Sequence, residues 1–408
     1  MSIDLQVSPA TAAAHKSVFG RETALAFYAL ALGTFLAASS APTPLYRLYQ
    51  HDWGFSSVML TLIFSVYAFS LLISIVIVGS LSDHIGRRPV IFAAILGQGL
   101  ALLLFLLAEG PGWLMAARIV QGLATGAATS AIGAALVDSN PARGAIVNSI
   151  APLVGMAIGA LGCSILVAYA PEPMRLVYGL LLAAILVQAA MVWLMPETAI
   201  RQPGAWASLK PTVHVPVNAR RSLLLITPLN VSIWALGGFY LSLVPSLVSA
   251  STGIVSPLIG GLVVATLTLS GAAAVFLMRQ KPVRLPLTLG PLTTIAGVLT
   301  LMAGVHTGLV ALLFAGTAIA GTGFGASFLG CVRTIMPLAK PDERAGLLSA
   351  FYTESYLAFS IPAILAGVLA HEIGLPAATD VYAAFILLLT VSGLVALKRA
   401  GLLSTSVV

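Results

Sequence analysis

Gly79-Ser-Leu-Ser-Asp-His-Ile-Gly-Arg-Arg-Pro89 is a short polar turn set between two long apolar stretches. Its parts fit one physical job. Asp83 falls where a membrane helix ends, at the negative end of that helix's dipole, which is a poor place for a carboxylate. It needs a cationic partner, and Arg87 and Arg88 lie within one turn of the chain. Gly86 lets the backbone reverse tightly. Pro89 suits the first turn of the next helix, where its missing N–H costs nothing. An ordinary loop with basic residues is the competing reading, and the surroundings decide between the two.

Outward from the turn, the chain has 408 residues, 59% hydrophobic and only 8% charged. Soluble proteins carry about 25% charged residues. So little charge cannot coat a water-facing globule, so the chain reads as an integral membrane protein. Apolar runs of about 20 residues, enough to cross ~30 Å of hydrocarbon, recur along it. Alternating short strands are absent, which argues against a β-barrel. Cys163 and Cys331 lie inside apolar stretches and read as small buried residues without disulfide or metal spacing. The first ~21 residues lack the order of a signal peptide, so the first helix is expected to be an uncleaved anchor.

Twelve apolar segments follow from this pattern. They centre on 24–41, 57–81, 90–107, 114–136, 145–169 and 176–194, then on 223–248, 255–277, 287–303, 309–336, 346–369 and 377–397. The polar stretch 196–221 divides 1–195 from 222–408 and is expected to be a central cytoplasmic loop. Basic residues test the count, because they concentrate on the cytoplasmic side. With the N-terminus inside, the inner segments hold Lys16, Arg21, Arg87, Arg88, Arg143, Arg201, Lys210, Arg220, Arg221, Arg279, Lys281, Arg284, Lys340, Arg344, Lys398 and Arg399. Outer loops hold only Arg47 and Arg175, while Arg118 and Arg333 fall within helices. A wrong count would scramble this bias, so both termini are expected in the cytoplasm. The net charge of +7 follows from this topology and does not call for a nucleic-acid partner. Pro141-Ala-Arg143 and Pro341-Asp-Glu-Arg344 open segments 5 and 11, a weak internal repeat of the kind a duplicated transporter shows.

The turn resembles the signature loop between helices 2 and 3 of the major facilitator superfamily, G-x-L-x-D-x-x-G-R-[RK]-x. Gly79, Leu81, Asp83, Gly86, Arg87 and Arg88 fall on that pattern, with His84 where arginine is frequent. Arg118-Ile-Val-Gln121-Gly122 resembles the family's second motif, R-x-x-x-G. Pro196-Glu197-Thr198 resembles the P-E-T that often follows helix 6; it supports the register and says little about substrate. Segment 5 keeps Gly155 and Gly159 of an exporter motif but has Ala160 and Cys163-Ser164 at its proline and glycine pair, a departure that weakens the case for antiport. Pro362 and Gly367 hold the equivalent place in segment 11.

The resemblance implies an all-α membrane protein of twelve transmembrane helices in two pseudo-symmetric six-helix bundles. A central cavity lined by segments 1, 4, 7 and 10 would be exposed to each side in turn. It also implies that Asp138 pairs with the arginine of the signature loop. Gly79, Asp83, Gly86, Arg87, Arg88 and Asp138 then form a conformational latch, with the start of segment 11 a further partner for Asp83.

Charges inside hydrocarbon are functional candidates by default. Glu354 is the one acid near the middle of a membrane segment, and it can bind protons or contact substrate. The alternative is a hydrogen-bonded acid bridging Tyr352, Tyr356 or a neighbouring helix. Arg118, with Gln121, is expected either to face the cavity or to snorkel towards the outer surface. Asn230 and Trp234 lie four apart on one face of segment 7 and either line the cavity or glue helices together. Pro42, Pro44, Tyr46 and Arg47 close segment 1 and are expected in an outer gate. The glycines of segments 4 and 10 permit bending or tight packing.

The six histidines are expected in tails or loops, and no metal spacing, P-loop or catalytic constellation is visible. An enzyme or an ATP-driven pump is therefore not expected. The reading that results is a bacterial secondary transporter in the cell inner membrane, of the drug or metabolite proton-antiporter type. It would export small apolar or amphiphilic molecules, with the proton gradient as energy source and no cofactor. Proton-coupled import of a nutrient or organic acid, with Arg118 as anion contact, is the alternative; a sensor or membrane enzyme without transport is a remote one. The expected partners are a small-molecule substrate and the lipid bilayer, and the chain is expected to act as a monomer.

Overall fold

The computed structural model describes residues 19–211, 213–340 and 343–403; His15, Lys16 and Pro341 lie outside them. α1 (Arg21–Ser40) runs directly into α2 (Pro42–Trp53). Then come α3 (Ser57–Val78), the short α4 (Leu81–Ile85), α5 (Arg87–Leu106), α6 (Pro111–Ser139), α7 (Pro141–Tyr169) and α8 (Pro173–Met191). After a connection come α9 (Val217–Ser242), α10 (Val244–Thr252), α11 (Pro257–Met278), α12 (Arg284–Thr307), α13 (Val310–Ile335), α14 (Arg344–Ile373) and α15 (Leu375–Arg399). Proline opens α2, α6, α7, α8 and α11, where its missing N–H is no loss. Left-handed Gly54, Gly253 and Gly308 stop α2, α10 and α12.

Among the described residues, twelve spans are long and apolar enough to cross a membrane, counting Arg21–Trp53 as one. No strand occurs among the described residues. The helices overrun the apolar segments at their ends. Arg220 and Arg221, read as part of the central loop, belong to α9. His51, His306 and His371, read as loop residues, stand in the last turns of α2, α12 and α14. A helix does not stop where hydrocarbon stops, because its backbone bonds are as good in water.

The two sets of helices repeat one packing scheme. α3 and α5 pack on α6 as α11 and α12 pack on α13. α1 packs on α7 as α9 packs on α14, and α5 on α8 as α12 on α15. The sets meet along two matching seams, α7 against α11 and α3 against α14.

Both sets also share a broken first span. Pro42 follows α1, and Pro245 follows α9 in the same way. Proline has no N–H for the carbonyl four residues back, so Ala38 and Leu241 lose their helical donors. Segment 1, expected to end at a surface gate, therefore continues as α2 with Tyr46 buried and Arg47 exposed. Thr43 on α2 supplies the missing donor for the second set: its Oγ1 donates to Leu241 O at 3.0 Å. Three more hydrogen bonds join the sets: Arg47 to Ser249 Oγ at 2.6 Å, Ser57 Oγ to Gly367 O at 3.1 Å, and Ser65 Oγ to Ser360 O at 3.3 Å. These bonds close the molecule from the end opposite Gly79–Pro89 towards mid-depth.

Glycines between neighbouring helices of one set let backbones touch. A Cβ at Gly159 would collide with the backbone of Ala37 on α1, whereas one at Gly162 would meet nothing within 4 Å. Gly159→Ala is expected to lower stability by about 1–3 kcal/mol, and Gly162→Ala to stay within about 0.5 kcal/mol of the parent. Thermal unfolding of the detergent-purified protein distinguishes them, and equal midpoints would refute this packing.

Candidate functional site

Three groups of polar residues stand out, and the first is the turn itself. Gly86 has φ 107° and breaks the chain between α4 and α5. Arg87, its side chain only 10% exposed, is clamped between two acids: NH1 lies 2.5 Å from Asp83 Oδ1 and Nε lies 3.1 Å from Asp138 Oδ2. NH1 also donates to Ser82 Oγ at 2.7 Å. The expected Asp83–Arg87–Asp138 cluster is thus present as geometry. The start of α14 is not a partner of Asp83 among the described residues; the main-chain O of Asp83 accepts from Gln202 N at 3.1 Å instead. Arg88 makes no ion pair among the described residues; it donates to Trp193 O and lies over the Trp193 ring.

Pro196-Glu197-Thr198, read only as a register marker, completes this cluster. The Glu197 carboxylate accepts from Arg87 N at 2.8 Å and Arg88 N at 3.1 Å, so it caps α5 at its positive end. A Cβ on Gly86 would displace that carboxylate, and the φ of 107° is one that favours glycine. Thr198 Oγ1 donates to Asp138 Oδ2 at 3.1 Å. Further along, Ser80 Oγ donates to Ser208 O, and His84 Nδ1 lies 3.2 and 3.1 Å from Gln202 O and Pro203 O. Residues 196–208 form a strap across the turn.

Arg118 is the centre of the second group. It fits neither expected position, because it is 1% exposed and sealed inside the first set. Nε and NH2 donate to Tyr46 OH, and NH1 donates to Ser39 O at 2.8 Å and Gln121 Oε1 at 2.6 Å. The rings of Tyr67, Tyr46 and Phe105 lie 5.1, 5.6 and 5.8 Å from its guanidinium carbon. Gln121 Nε2 donates to Ala38 O at 3.1 Å, the carbonyl that Pro42 leaves without a donor. Arg118 and Gln121 therefore serve the negative, broken end of α1. A substrate has no path to the guanidinium here.

The third group gathers the other predicted residues: Glu354, Asn230, Trp234, Tyr352 and Tyr356. Glu354 is half-buried on α14. Its Oε1 accepts from Asn230 Nδ2 at 2.9 Å and its Oε2 lies 2.8 Å from Thr227 Oγ1. Its partners are thus on α9, not the tyrosines of its own helix. Asn230 is fully buried and also bonds Ser355 Oγ at 3.0 Å. No basic side chain pairs with Glu354 among the described residues. Cys331 of α13 lies close enough to feel its charge, and Tyr356, two residues further along α14, interacts with Tyr352 and with Tyr67 of α3.

Trp234 is the hub of the aromatic part. Its ring centroid lies 5.0 Å from Tyr356, 5.9 Å from Phe359, 6.3 Å from Phe328 and 6.5 Å from both Phe324 and Tyr352. Thr227, Ser355 and these phenylalanines were not singled out by sequence. Thr227 was within reach, since 227, 230 and 234 share a helix face by spacing. A separate pocket of about 350 Å³, lined by Tyr49, Trp53, Phe105 and Met174, lies at the end opposite the turn and away from these groups.

Residues 24–285 match a family model described as the Major Facilitator Superfamily. The match ends at the start of α12, before the helix that carries Glu354. The comparison with curated proteins finds no match. Among solved structures, the human organic anion transporter MFSD10 (TETRAN) is similar at TM-score 0.66 and 16% identity, over 91% of this chain and 99% of that one. A mutant of the nucleoside transporter NupG is similar at TM-score 0.71 and 12% identity, over 91% and 99%. A bacterial homolog of the human lysosomal transporter Spinster, inward-facing and unoccupied, gives TM-score 0.68 and 16% identity over 94% and 96%. At these identities the likeness is one of fold.

Two outcomes follow from the first two groups. Glu197→Ala removes the cap of α5 and is expected to cost about 1–2 kcal/mol of local stability. Tryptic cleavage at exposed Arg201 should then accelerate about five- to thirtyfold; an unchanged rate would mean that Glu197 does not hold the strap. Arg118→Lys keeps the charge but loses the fork of donors. It should lower stability by on the order of 1–3 kcal/mol per carbonyl or hydroxyl left unserved, read as the unfolding midpoint in detergent. A midpoint equal to that of the parent would contradict the structural role.

Proposed function

The chain belongs to the Major Facilitator Superfamily and is a secondary transporter rather than an enzyme, and from that premise we propose that it moves small amphiphilic molecules outward in exchange for protons, with Glu354 as the coupling group. The observation that carries the proposal is the carboxyl group of Glu354, half-buried within the membrane-long α14 and, among the described residues, met by neutral partners. Thr227 gives it room to change protonation. Its hydroxyl has one proton and two neighbours, Glu354 Oε2 at 2.8 Å and Leu223 O at 3.0 Å. Ionised, Glu354 accepts that proton's hydrogen bond. Protonated, Glu354 donates to Thr227 Oγ1, and the hydroxyl turns to Leu223 O. Both states keep their bonds with no movement of the main chain, so the cost of an unpaired buried group is avoided.

The proposed topology puts the Gly79–Pro89 turn and both termini in the cytoplasm of a cell whose inner membrane holds the chain. The hydrogen bonds at Thr43 and Arg47 then seal the outer side, and the arrangement is one that opens inward. Alternating access would break those bonds and close the cytoplasmic end, with the Arg87 cluster and its strap setting the balance between the two states. No cofactor beyond the proton gradient enters this scheme, and a single chain suffices. Import of an organic acid through Arg118 is the weaker reading, because each nitrogen of that guanidinium already donates within the first set.

Everted vesicles test the proposal with a panel of amphiphilic compounds and an imposed pH gradient. Gradient-driven accumulation is expected with the parent protein, and Glu354→Gln should remove it while Glu354→Asp retains part. If Glu354→Gln transports with the same dependence on the gradient, the coupling group lies elsewhere. Accumulation driven in the opposite sense would establish import.

A further inference from the structure

We propose that the transported molecule is an organic cation: a protonated amine or quaternary centre carried on an apolar, preferably aromatic, body. The inference rests on the transport reading and names the substrate class of the same site. Charge is the first argument. Glu354 is the one acid of the site, and its two oxygens are met by an amide and a hydroxyl, with no resident cation to neutralise it. The other interior charge, Arg118, is sealed in the opposite set behind Tyr46, Gln121 and Ser39 O. An anion entering the site therefore meets a carboxylate and finds no counter-charge.

The wall beside Glu354 is the second argument. Trp234, Phe324, Phe328, Tyr352 and Tyr356 are all half-buried rather than sealed in the core. Ring faces carry partial negative charge and attract cations, tryptophan most strongly. Trp234 is four residues from Asn230 on one face of α9, and Asn230 bonds Glu354, so the hub of the rings lies one helical turn from the residue that holds the carboxylate. A carboxylate next to clustered rings selects positive charge and apolar bulk together. A neutral apolar molecule would gain only from burial, and would gain nothing from Glu354.

Tetraphenylphosphonium and tetraphenylborate have the same shape and opposite charge, which makes them the probes. Equilibrium binding to the purified protein in detergent at mildly alkaline pH is the measurement. One saturable site for tetraphenylphosphonium and none for tetraphenylborate is expected. Affinity should fall at least about tenfold in Glu354→Gln and in Trp234→Ala, and Glu354→Asp, which keeps the charge, should hold most of it. Equal saturable binding of both ions, or an unchanged affinity in Glu354→Gln, overturns the proposal. Binding that depends on Glu354 without gradient-driven flux would leave the cation site standing and remove the transport reading. Flux of neutral or anionic compounds, with no Glu354-dependent binding of the phosphonium, would do the reverse.

Discussion

Hydrocarbon offers no hydrogen bonds, so every interior polar group has to find its partner within the chain. The two proline breaks put this constraint to use. Pro42 strips Ala38 O of its donor, and the first set answers internally through Gln121. Pro245 strips Leu241 O, and the answer comes from the other set through Thr43. The same defect therefore has a permanent repair on one side and a conditional one on the other. If the sets part at this end, Leu241 O loses its partner just as water gains entry to replace it. A broken helix at a gate is tolerated because one of its two states is wet and the other is bonded.

At the opposite end the constraint is relaxed, and charge does the work. Arg87 holds Asp83 and Asp138 together, and Glu197 holds the start of α5. Asp83 stands beyond the end of α3, in the first turn of α4, and Arg87 pairs with it at short range. The strap 196–208 joins this arrangement to the connection between the two sets. Movement of one set against the other is thus felt at the turn through the chain itself.

The twelve spans and the turn were legible because they depend on local pattern: apolar length, basic bias and fixed spacing; Asp138 as a partner of Arg87 was implied by the family resemblance. That Glu354 falls within a helix long enough to cross a membrane was legible for the same reason. What each helix turns towards was not. In a soluble protein an apolar stripe marks the buried face, but here lipid and core are both apolar and the stripe disappears. Arg118 illustrates the failure: its motif was plain, while its sealed position depends on α1, α2, α3 and α5 meeting around it. Glu197 was misjudged because its partners are the N–H groups of residues 110 and 109 positions earlier, and a sequence does not show which helix ends lie side by side.

The two interior charges divide the labour between sets that share one packing plan. Arg118 has used its guanidinium to complete the backbone of α1, and a group whose bonds are all structural cannot also exchange ligands. Glu354 stands on the helix that answers to α7 in the repeat, and it bonds only side chains, each able to turn. Its anchor Asn230 is buried and fixed, while Thr227 has a second acceptor waiting at Leu223 O. One oxygen is therefore held still as the other is left free to gain or lose a proton. A fixed bond with a switchable bond beside it is the least machinery by which a buried acid can change charge and keep its place.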